Sequence, residues 1–140
     1  MIVLDTDCLS LLERERILES SKLIKALDAH TDDEIVTTII TYEEQMRGWL
    51  AFIRKCRSLD EQVNGYDRLH RFLESYRNTP VIGFDEKAAN VFRDLRKQRI
   101  RVGTMDLMIA AIVIANKAIL VTRNVSDFGQ VPGLRAEDWT

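Results

Sequence analysis

The chain has 140 residues, 46% hydrophobic and 30% charged, with a net charge of −2. That length fits one domain, residues 1–140, able to bury roughly 68–70% of its unfolded surface. No apolar run approaches the roughly 18 residues of a membrane span, Asp5 comes too early for a signal peptide, and the charge excludes a globally basic nucleic-acid binder, so a cytoplasmic protein without membrane contact is expected.

Met1 to Leu4 is a short apolar run ending in an acid and reads as a first buried strand. Residues 8–29 read as helical, with a break near Ser20-Ser21. Ile35-Val36-Thr37-Thr38 is β-branched and forms a second strand. From Tyr42 the apolar positions Met46, Trp49, Leu50, Ile53 and Cys56 have helical spacing. A further long helix places Leu59, Val63, Tyr66, Leu69, Leu73 and Tyr76 on one stripe. Pro80 ends it, and Val81-Ile82-Gly83-Phe84 supplies a third strand.

Asp85 caps a helix carrying Ala88, Val91, Phe92 and Leu95. Gly103-Thr104 opens the helix from Met105 to Asn116, apolar almost all round and therefore buried on most faces. Ala118 to Thr122 is the clearest strand. The tail, with Phe128, Pro132-Gly133-Leu134 and Trp139, folds back to cover an edge. Apolar runs alternating with helices predict an α/β fold with a parallel sheet. Cys8 and Cys56 have no partner motif and read as packed thiols. His30 and His70 read as surface or boundary residues.

Polar residues fall where strands hand over to helices, and ligands of open α/β sheets bind at the strands' carboxyl ends. Asp5 ends the first strand, Glu44 lies in the first turn of the next helix, Asp106 in the first turn of the buried helix, and Asn124 and Asp127 follow the last clear strand. Two carboxylates about 5 Å apart repel by roughly 3 kcal/mol at an effective dielectric near 20, a cost that a cation between them offsets. Oxygen ligands without His or Cys favour Mg²⁺ or Mn²⁺ over zinc. Such an ion ionises a water and clamps a phosphodiester during in-line attack.

Each acid also has a structural reading. Asp5, with Thr6 and Asp7, fits a helix cap. Thr41-Tyr42-Glu43-Glu44 fits a capping box. Asp106 fits a helix dipole, although a charge heading so apolar a helix needs partners. Asn124 fits a turn, and Asp127 is open between site and surface. Two basic clusters, Arg47, Arg54, Lys55 and Arg57, then Arg93, Arg96, Lys97, Arg99 and Arg101, read either as solvated helix faces or as RNA-backbone contacts.

The segments Val3-Leu4-Asp5-Thr6-Asp7, Ile40-Thr41-Tyr42-Glu43-Glu44 with Gly48, Gly103-Thr104-Met105-Asp106, and Leu120-Val121-Thr122-Arg123-Asn124 with Asp127-Phe128 occur in one order across the chain. Together with the tail from Val131 to Trp139, this set resembles the PIN-domain family, specifically the VapC-like toxins of toxin–antitoxin pairs. The resemblance implies a three-layer α/β/α domain with a mainly parallel sheet, and an Mg²⁺- or Mn²⁺-dependent endoribonuclease. It further implies an RNA substrate, a cognate antitoxin and a homodimer. Asp5, Glu44 and Asp106 match the family's acidic triad as catalytic and metal-binding residues, Glu44 rather than Glu43 because it stands four before Gly48. Thr6 and Thr104 match supporting hydroxyls.

Asp7 stands where the family most often has Asn, and Asn124 where many members have a fourth Asp. One ion held mainly by Asp5 and Asp106 is therefore expected. Two rival readings remain at this point. An apolar strand ending in Asp-x-Asp also opens haloacid-dehalogenase-like phosphatases, with Asp5 as nucleophile and Asp7 as acid/base, but no acidic pair follows Val121. The other rival is a non-catalytic PIN-like binding module.

Overall fold

The computed structural model describes residues 1–13 and 19–140. Five strands lie in the order β3-β2-β1-β4-β5, with every pairing parallel: β1 (Ile2–Leu4), β2 (Ile35–Thr38), β3 (Val81–Ile82), β4 (Ile119–Val121) and β5 (Ala136–Glu137). β1 is central, with Val3 opposite Val36 on one side and Leu120 on the other.

Alternation along these strands builds the layers. Val3, Val36 and Leu120 point into one core with Ala88 and Leu95 of α5 (Glu86–Lys97) and the buried face of α6 (Thr104–Ala115). Ile2, Leu4 and Val121 point into a second core with Cys8 and Leu9 of α1 (Thr6–Glu13) and Leu23 of α2 (Glu19–Asp28). Because side chains on a strand alternate between faces, each face has its own helices: the α/β/α sandwich expected. Ala110, Ala111, Ile112 and Val113 of α6 are wholly buried, in keeping with that helix's uniform apolarity. Among the described residues no helix is long and apolar enough to cross a membrane.

The remaining helices depart from expectation in instructive ways. α3 spans Ile39–Arg54 and begins three residues earlier than the spacing indicated, because Thr38 is its cap and accepts from the Thr41 N–H at 3.1 Å. The break expected near Ser20-Ser21 is not there: both serines lie inside α2, and the chain between α1 and α2 (residues 14–18) lies outside the described residues. α4 (Leu59–Ser75) exists as expected, but its apolar stripe is not core. Leu59, Val63, Tyr66 and Leu73 are exposed, while Phe72 is buried against Tyr42 and Tyr76. Cys56 is only partly buried, beyond the end of α3, with its thiol donating to the Phe52 carbonyl.

The seam between α3 and α4 explains a glycine in mid-helix, a position that ordinarily costs about 1 kcal/mol relative to Ala. A Cβ on Gly65 would sit 3.1 Å from Ile53 Cγ1 and 3.6 Å from both Cys56 Sγ and Phe52 Cδ1. Gly65→Val is therefore expected to destabilise the protein by about 1–3 kcal/mol through overpacking, seen as a lowered urea midpoint. An unchanged midpoint would show that the two helices separate freely.

The tail does more than cover an edge. α7 (Val125–Phe128) docks Phe128 in the core, and β5 extends the sheet as a fifth parallel strand, with Leu120 opposite Ala136 and Val121 opposite Glu137. Trp139 stacks on His30, ring centroids 4.5 Å apart, and donates its indole N–H to Glu137.

Candidate active site

The strand order reverses at β1: β2 and β3 lie to one side, β4 and β5 to the other. In open α/β sheets the crevice beyond the carboxyl ends of the strands at such a switch point is where ligands bind. Asp5 directly follows β1 and Thr122 directly follows β4, whose register places Leu4 opposite Val121. α3 starts from the end of β2, and α6 runs back into β4, so its first turn lies at the same edge.

Asp5 is buried, 6% exposed, and both carboxylate oxygens are engaged. Oδ1 accepts from the Cys8 N–H at 2.9 Å, which caps α1, and Oδ2 accepts from Thr122 Oγ1 at 2.5 Å. The capping role read from sequence is thus real for Asp5, through one oxygen. Burial pushes this carboxyl above the usual carboxylate range, against the pull of the Thr122 and Cys8 hydrogen bonds, and Asp7 adds to the rise.

Glu44 lies in the second turn of α3, not the first. Thr38, not Thr41, caps that helix, so the capping box is absent and Glu44 is released from that structural duty. Burial, then the charges of Asp106 and Asp5, raise its pKa, while a hydrogen bond with the Thr6 side chain works the other way. Its Oε1 is buried without a hydrogen-bond partner. Asp106, in the first turn of α6, is raised by burial first, then by Asp5, Asp127 and Asp7. Three acids from three separate segments thus share one electrostatic neighbourhood.

The supporting positions divide. Thr6 and Thr38 each share a hydrogen bond with Thr41 Oγ1, both at 3.3 Å, joining the cap of α3 to the start of α1. Asp7 is exposed and adds negative field to all three acids. Thr104 is exposed at the first residue of α6. The Asn124 amide donates to Asp127 Oδ2 at 3.0 Å and its oxygen accepts from Ser126. Asp127, exposed, is the member of that pair whose charge is felt by Asp106. Cys8 is fully buried, and burial pushes its thiol far up, so it is an inert packed thiol. Sequence reading assigned no role to Thr122 or Thr38, and gave Thr41 the capping role that Thr38 fills. The available signal for Thr122 was a threonine ending the clearest strand, immediately before the acids' edge.

Among the described residues, no three His, Cys, Asp or Glu side chains already stand at metal-ligand spacing. The chemistry of the donor set nevertheless fits a hard cation. The donors are all carboxylate oxygens, each acid is held above its ordinary pKa, and Glu44 carries a buried oxygen that no donor satisfies.

Fold and site together describe a parallel α/β domain with an acidic, oxygen-only cluster at the switch point of its sheet. Residues 2–134 match the PIN domain family model, and the chain belongs to that family. It is 31% identical over 115 residues to Ribonuclease VapC1 of Haemophilus influenzae strain R2866, covering 78% of this chain and 77% of that protein. In structure it is similar to VapBC2 from Rickettsia felis, solved bound to a promoter DNA fragment (TM-score 0.73, 24% identity, all of both chains). It is equally similar to VapBC-1 from nontypeable Haemophilus influenzae (TM-score 0.73, 24% identity, 99% of this chain and 98% of that one). Family membership across nearly the whole chain sets aside the phosphatase reading of Asp5 and Asp7.

Proposed function

We propose that this protein is a metal-dependent endoribonuclease, the toxin of a toxin–antitoxin pair, held in check by a cognate antitoxin and acting as a homodimer. The observation that carries the reading is the convergence of Asp5, Glu44 and Asp106 from the ends of β1, α3 and α6 on one half-buried edge, where Asp5 raises the proton affinity of both Glu44 and Asp106, and Asp106 that of Glu44. Names borne by similar chains, Ribonuclease VapC1 and the VapBC complexes, support the substrate class and the partner.

Asp5 and Asp106 would hold one Mg²⁺ or Mn²⁺, with Glu44 turning its unsatisfied oxygen to the ion or to a water beside it. Such an ion, when bound, lowers the pKa of a water and neutralises charge developing on a phosphodiester. The chain's own contribution is orientation: the cap of α1 and the Thr122 hydroxyl hold Asp5, and the threonine set Thr38-Thr41-Thr6 ties α3 to α1 beside Glu44. Asp7 and Asp127 add to the negative field that attracts a cation.

The RNA backbone falls to the second basic cluster. Arg99 and Arg101 are exposed in the connection that opens directly into α6 and Asp106. Arg47 is already paired with Glu43, and Arg54 lies ten residues beyond Glu44 in sequence, about 15 Å along α3.

The deciding experiment is cleavage of total cellular RNA by purified protein with Mg²⁺, with Mn²⁺ and with EDTA. Discrete fragments in either metal and none in EDTA are expected. Cleavage that persists in EDTA would overturn the metal reading. Intact RNA in every arm, from folded protein, would favour a non-catalytic PIN-like module.

A further inference from the structure

We propose that Thr122 is a positioning residue for Asp5, fixing the direction in which that carboxylate presents its free lone pairs to a divalent cation; this rests on the metal-dependent reading above. Thr122 is wholly buried at the end of β4, and its neighbour across the sheet is the segment that ends in Asp5. Its Oγ1 donates to Asp5 Oδ2 at 2.5 Å and accepts from the Asn124 N–H at 3.0 Å.

A hydroxyl has one proton and two lone pairs. With the Asn124 N–H occupying the oxygen from one side, the rotor is held with its proton toward Asp5. The terminal torsion of an aspartate is broad and poorly fixed by its own rotamer preference. Here it is pinned from both ends, by the Cys8 N–H on Oδ1 at 2.9 Å and by Thr122 on Oδ2. The Cys8 thiol adds a further hydrogen bond to the same carboxylate, which keeps lone-pair capacity to offer a cation.

This geometry also gives the Asn124 segment a role that its side chain does not fill. The Asn124 amide is engaged with Asp127 and Ser126, so Asn124 reaches Asp5 through its backbone N–H and Thr122. Partners that orient a metal ligand are typically worth 10–100-fold in metal affinity.

The test is calorimetric titration of the full chain with Mn²⁺ alone, comparing wild type with Thr122→Val, Thr122→Ala and Thr122→Ser, each with its circular dichroism spectrum. Both variants lacking the hydroxyl are expected to bind Mn²⁺ about 10–100-fold more weakly, while Thr122→Ser stays close to wild type. Should Thr122→Val fail to fold, Thr122→Ala against Thr122→Ser makes the same comparison. Wild-type affinity in a folded variant without the hydroxyl, or a Thr122→Ser as weak as Thr122→Ala, would overturn the positioning role alone. A wild-type chain that binds no Mn²⁺ would overturn the metal reading and this role with it.

Discussion

Asp106→Asn is expected to lose RNA cleavage by about 10³-fold or more and, in metal-free protein at neutral pH, to melt a few degrees higher than wild type. The first half follows from the proposed role of Asp106 as a ligand, since a bound cation would supply several kcal/mol of charge stabilisation, at 1.36 kcal/mol per tenfold in rate. The second half follows from the direction of the pKa shift. Burial, then Asp5, Asp127 and Asp7, raise the Asp106 pKa in the folded chain. Between its unfolded value, near 3.9, and its raised folded value, the folded state binds more protons than the unfolded one. Stability therefore falls as pH rises through that window, and the full cost is present above the folded pKa.

Asparagine keeps the shape and removes the charge, so the cost disappears; a relief near 1 kcal/mol corresponds to about 3 °C at this chain length. Added Mn²⁺ should raise the melting temperature of wild type and do so much less for the variant. Thermal melts with and without Mn²⁺, beside the cleavage assay, separate the two readings of this residue. If Asp106 served only the dipole of α6, its replacement would lower the melting temperature and leave cleavage intact.

The same electrostatic logic shows what could be read in the sequence. Asp5, Glu44 and Asp106 were legible because strand ends and helix starts fix where acids go once the strands are parallel. The buried runs Ile2–Leu4 and Ile119–Val121, and the all-round apolarity of Thr104–Ala115, were legible because burial on both faces leaves few alternatives. The start of α3 was not. Ile39-Ile40-Thr41 is β-branched and carries no helix signal of its own, yet Ile40 and Thr41 are buried and Thr38 caps the helix, so tertiary packing overrides propensity.

β5 was missed because Ala136-Glu137 has no strand signal of its own; its place comes from pairing with β4. The stripe on α4 was legible as a stripe, but its exposure was not, because periodicity reports which residues share a face and not what that face meets. Thr122 was missed because its importance is a hydrogen bond spanning 117 residues of sequence, which no local pattern encodes.

Phe128→Ala is expected to destabilise the fold by about 3–5 kcal/mol, the usual range for removing a buried phenylalanine, lowering the melting temperature by roughly 10–20 °C. Phe128 is 1% exposed and packs in the core formed by Val3, Leu120 and α6, with Val131 beside it. The helix that carries it, Val125–Phe128, has four residues, far too few to be stable alone. Its position therefore depends on that one ring and on the close turn after it, where a Cβ on Gly129 would meet the Val125 carbonyl oxygen at 2.6 Å. Val125, on the same helix but 40% exposed, is the control; Val125→Ala should change stability by no more than about 0.5 kcal/mol. A Phe128→Ala variant as stable as that control would mean the tail is not part of the core. The expected loss would instead show that the helix carrying Asp127, whose charge reaches Asp106, is anchored by Phe128.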